Sequence, residues 1–148
     1  FRHPKRDVAL VSLAGPASNL VLAFLAAVLL AILSPDAESM GVGTLIAGSG
    51  AGSVAEALVA QLLMRSLFVN LALMAFNLLP VAPLDGSKIL QAFVPWKYED
   101  AYEEFMRVGP YLLLGLILAE NFLPFSLLSA WVFGITERVL DLFFLLLG

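Results

Sequence analysis

Asp85 is the side chain best placed to do chemistry in this chain, because it stands where an apolar run is broken on purpose. It closes the stretch Asn77-Leu78-Leu79-Pro80-Val81-Ala82-Pro83-Leu84-Asp85-Gly86. Pro80 and Pro83 remove backbone donors and break a helix there, and Gly86 allows a tight turn. A carboxylate on such a break fits a metal ligand, a proton carrier, an N-cap for a helix over Gly86–Val94, or a solvated loop residue. A second set is Gly15, Asn19 and Ala23, spaced i, i+4, i+8 and so on one helical face. Small residues on that face let a neighbouring helix come close, and the amide offers a hydrogen bond; plain packing is the simplest use of both. Asn70, seven residues before Asn77, reads as a further interhelical hydrogen-bonding group. His3 is the only histidine and cysteine is absent. His3 reads as a solvated residue, and a zinc site of three or four ligands is beyond this sequence alone.

The elements carrying these residues are apolar helices. From Val8 to Leu33 no side chain is ionisable; at 1.5 Å per residue those 26 residues span ~39 Å, enough to cross a ~30 Å hydrocarbon core. Ser34–Ser53, with Pro35, Asp36 and five glycines, reads as a loop. The second membrane segment covers 54–83, interrupted by Glu56, Gln61 and Arg65. Either one helix spans with Arg65 facing protein or water, or residues 54–65 lie at the interface and the span follows them. A polar segment over 85–107 comes next, with Trp96, Tyr98 and Tyr102 suited to a membrane boundary. Shorter apolar runs over 109–123 and 125–147 complete four expected spans. Glu137, Arg138 and Asp141 sit in the last, spaced for pairing within the bundle.

Composition agrees. Of 148 residues 61% are hydrophobic and 14% charged, against roughly 45–50% and 25% in a soluble domain. Mean hydropathy is +0.95. Disorder, a disulfide scaffold and Cys-ligated metal are excluded, and a net charge of −4 speaks against nucleic acid as a partner. The expected class is all-α: one polytopic transmembrane bundle over 1–148 with no soluble domain. Lys and Arg occur before the first span and in 85–107 but not in 34–53. The positive-inside rule then places the N-terminus and the 85–107 segment in the cytoplasm.

Together the two motifs resemble the site-2 protease family of intramembrane zinc metalloproteases. Gly15-x-x-x-Asn19-x-x-x-Ala23 in one span is followed in the next by Asn77-Leu-Leu-Pro80-Val-Ala-Pro83-Leu-Asp85-Gly86, and the approach Arg2-His3-Pro4-Lys5-Arg6 into Ala14-Gly15-Pro16 is similar to the compact prokaryotic members. The resemblance is strongest over residues 1–95. It implies a Zn2+ cofactor held by two histidines of an H-E-x-x-H helix and by the aspartate matching Asp85. It also implies Asn19 near the active-site cleft and Asn77 holding substrate backbone or the loop. In that family the metal acidifies a bound water and the glutamate is its general base. The implied partners are the bilayer and a transmembrane protein substrate, locally unwound; the implied location is a prokaryotic cell membrane.

No H-E-x-x-H occurs in the 148 residues. In the family that helix precedes the Gly-x-x-x-Asn segment, so the sequence reads as a C-terminal part that begins after it, at Phe1. The chain then holds one metal ligand and no catalytic residue, depends on an upstream H-E-x-x-H segment of the same protein, and is inactive by itself. The alternative is a non-catalytic membrane scaffold or a degenerate protease homologue. A transporter piece ranks behind both, since no internal repeat is visible.

Overall fold

The computed structural model describes residues 4–33, 54–122, 124 and 126–147. His3 and the segment 34–53 lie outside the described residues. Those described are helical, without strands: α1 Pro4–Leu33, α2 Val54–Asn77, α3 Asp85–Gln91, a 3-10 turn Trp96–Tyr98, α4 Glu99–Ala119 and α5 Leu127–Leu147. Among the described residues, two helices are long and apolar enough to cross a membrane, over Lys5–Leu33 and Ala55–Asn77. Charge within α4 (Glu103, Glu104, Arg107) and α5 (Glu137, Arg138, Asp141) keeps both below that measure.

α1 and α2 form the core by setting small residues against large ones. Ala23, Ala26, Ala27 and Leu30 repeat at helical spacing on α1; Ala60, Met64, Leu67, Leu71 and Met74 do so on α2, and all are buried together. Alanines let the backbones approach, and the longer side chains fill the space so made. The Gly15/Asn19/Ala23 face therefore ends in the core, with Ala23 fully buried. Phe143 of α5 joins the cluster, its ring edge-on to Phe24 at 5.2 Å. The outer faces stay apolar: Val11, Ile32, Leu62 and Leu145 are each more than 60% exposed.

Within the second segment the helix is shorter than the segment itself. One continuous helix runs from Val54 to Asn77, without a separate interfacial piece over 54–65, and it stops six residues short of Pro83. Leu79 N donates to Phe76 O rather than to Ala75 O. The released Ala75 carbonyl accepts from Trp131 Nε1 at 2.8 Å, which ties α5 to the end of α2. The chain then turns through 78–84, with Ala82–Pro83 cis. Arg65 is exposed on α2, not covered by the described residues. Most of 85–107 is helical as well, and α4 begins ten residues before the span expected from Gly109, running through Pro110.

Candidate metal centre

The turn after α2 brings the two polar motifs together. α3 follows the turn and packs on the N-terminal half of α1. A methyl group on Gly15 would stand 3.0 Å from Asp85 Oδ2 and 4.0 Å from the Asp85 carboxyl carbon, and beyond the local backbone of its own helix no other described heavy atom would lie within 4 Å of it. The carboxylate thus occupies the room left by the missing side chain. Its other oxygen, Oδ1, lies 3.4 Å from Lys88 Nζ. That pair is part-exposed and weak. Oδ2 has no hydrogen-bond donor among the described residues.

Asp85 is not the N-cap of the following helix. Leu84 holds that position, without a side-chain cap, and Asp85 is the first helical residue. The helix also ends at Gln91, short of Val94. Its start is fixed from behind: a Cβ on Gly86 would lie 2.3 Å from Leu78 O and 2.4 Å from Leu79 O. Only glycine allows the first turn of α3 to sit on the last carbonyls of the α2 segment. Ser87, fully buried, donates Oγ to Leu84 O at 2.7 Å.

No local pattern of residues points to the clamp on this helix. Tyr102 of α4 donates its hydroxyl to Ser87 O at 2.6 Å, across fifteen residues. Burial pushes the Tyr102 phenol above its ordinary pKa. Gly109 lets α4 reach the turn, since a Cβ there would lie 2.5 Å from that of Ala82. Lys5 Nζ, on the first turn of α1, meets Glu99 Oε1 at 2.9 Å. The two Lys/Arg-bearing segments therefore lie at the same end of the bundle.

Asn19 and Asn77 are both half-buried, and neither amide makes a hydrogen bond among the described residues. Asn70 is spent locally, donating to Ser66 O at 2.8 Å. Pro16 is buried within α1, Pro80 and Pro83 are exposed on the turn, and Ala23 is in the core. No group of three or more His, Cys, Asp or Glu side chains that could hold a metal exists among the described residues. These residues fit one carboxylate ligand and do not fit a complete zinc sphere, so no step through zinc follows from them.

The model of peptidase family M50 matches residues 2–119. The chain is 39% identical over 95 residues to a Bacillus subtilis (strain 168) protein named "Putative zinc metalloprotease YwhC", an overlap of 64% of this chain and 38% of the relative. The matched part is thus well under half of that relative's length. No solved structure matches the chain. With both motifs inside the matched region, the chain belongs to peptidase family M50, the site-2 protease family.

Proposed function

We propose that the chain is the C-terminal part of an intramembrane zinc metalloprotease that cleaves transmembrane helices. Asp85 is the ligand it contributes, and an upstream H-E-x-x-H segment of the same protein supplies the histidines and the general base. The single observation that carries this reading is the Asp85 carboxylate lying against Gly15, with Oδ2 left without a donor among the described residues. A glycine there admits a carboxylate and whatever that carboxylate binds. The amides of Asn19 and Asn77, without a partner among the described residues, support a cleft that accepts extended peptide backbone, whose carbonyls and N–H groups lose their helical partners once a substrate helix unwinds.

The finer topology belongs to the same proposal. Four spans, over 8–33, 54–83, 109–123 and 125–147, sit in a prokaryotic cell membrane with the N-terminus and 85–107 inside. The ion pair of Lys5 with Glu99 supports placing those two segments on one side. The test compares the full-length protein with the 148-residue chain, for bound zinc and for cleavage of a transmembrane substrate. Stoichiometric zinc and cleavage in the full-length protein, with neither in the 148-residue chain, is the expected result. An upstream helix without H-E-x-x-H would leave the non-catalytic scaffold as the better reading, and cleavage by the chain alone would overturn its dependence on an upstream segment.

A further inference from the structure

A groove of ≈ 780 Å³ lies between α1 and α3, and Asp85 is not among the residues that line it. Leu10 and Leu13 of α1 and Ile89 and Phe93 of α3 form its apolar walls, and Lys5 and Arg6 lie at one end. The polarity runs along the helix: eight residues of α1, about 12 Å, separate the cationic end from Leu13. Among the described residues no acidic side chain lines it. Lys5 is engaged by Glu99, whereas Arg6 is exposed and has no ion pair among the described residues. Phe93 is 77% exposed, so the apolar wall opens outward.

We propose that this groove binds one anionic phospholipid from the bilayer, its phosphate on Arg6 and an acyl chain against Leu10, Leu13, Ile89 and Phe93. The charge order decides the occupant. A neutral helix would leave Arg6 without a counter-charge, and a soluble anion would leave the apolar walls unused. Basic pockets between membrane helices on the positively charged side attract anionic headgroups, and burial of the chain's methylenes adds affinity. The site rests on the membrane reading of α1 and is independent of zinc, so its readout contains no proteolysis.

The test is lipid retention by the full-length protein, extracted from vesicles of equal phosphatidylglycerol and phosphatidylcholine and weighed intact by native mass spectrometry. One retained phosphatidylglycerol in preference to phosphatidylcholine is expected. Arg6→Gln lowers that preference about fivefold, the effect of one cation at an anionic surface, and Arg6→Lys keeps it. Leu13→Gln weakens retention of the lipid while binding of glycerol phosphate alone stays undetectable. Equal retention of both lipids, a preference unchanged in Arg6→Gln, or glycerol phosphate bound as well as the lipid would each overturn the site. So would complete displacement by oleate, which would make the occupant a free fatty acid.

Discussion

Gly15 and Asp85 are seventy positions apart in the chain, yet the Asp85 carboxylate fills the space where a Gly15 side chain would stand, 3.0 Å from its Cβ position. Gly15→Ala therefore presses on the carboxylate rather than on backbone. The end of an aspartate side chain can shift by a few tenths of an ångström, so the fold survives, at a cost of about 1 kcal/mol. The carboxylate, however, leaves its place. In the full-length protein Gly15→Ala should lower zinc affinity and cleavage at least tenfold with little change in thermal stability. A matched loss of stability and activity would reduce Gly15 to a packing residue.

Gly86→Ala should behave differently. Its Cβ would meet two backbone carbonyls at 2.3 and 2.4 Å, and neither can swing aside. The expected loss is at the upper end of roughly 1–3 kcal/mol, with α3 displaced from the turn. Chemical denaturation in detergent measures it. A stability equal to the parent chain would mean that the α2–α3 turn is open enough to take a methyl group at Gly86.

Tyr102→Phe removes the hydroxyl that Ser87 O accepts. A lost hydrogen bond to a buried carbonyl costs about 1–2 kcal/mol. The phenol's pKa is raised in the folded chain, so the folded state favours the protonated form. That contribution is whole below the unfolded value near 10 and disappears as pH rises through the folded value. The parent chain should lose stability above about pH 10, and the phenylalanine variant should lose less there. Identical alkaline profiles would remove Tyr102 from the clamp.

The absence of cysteine makes a single introduced thiol an unambiguous marker of sidedness. Lys97→Cys should react with a membrane-impermeant maleimide only from the cytoplasmic side, and Lys5→Cys should report the same side. Labelling of the two from opposite faces would contradict both the charge bias and the ion pair of Lys5 with Glu99.

Local chemistry was legible in the sequence, and contact across the chain was not. The apolar length of 8–33 and the small-residue spacing at Gly15 and Ala23 led to a helix with a closely approached face, because both follow from one element's own geometry. The prolines marked the break after α2, but the helix ends earlier, at Asn77. Its last carbonyls find outside donors such as Trp131, which no local pattern encodes. Asp85 looked like an N-cap because Asp is a good one. Packing against Gly15 won instead, and Leu84 took the cap position without a side-chain bond. Tyr102 was visible as a boundary aromatic; its bond to Ser87 depends on the return of α4.

The role of the Asp85 carboxylate is tested most directly by zinc binding in the full-length protein, parent against Asp85→Asn. The amide keeps the shape and removes the charge. Loss of an outer-shell partner already costs about 10–100-fold in metal affinity, so loss of a ligand should cost at least as much and abolish cleavage. Unchanged zinc content together with unchanged proteolysis would show that the metal is held without Asp85.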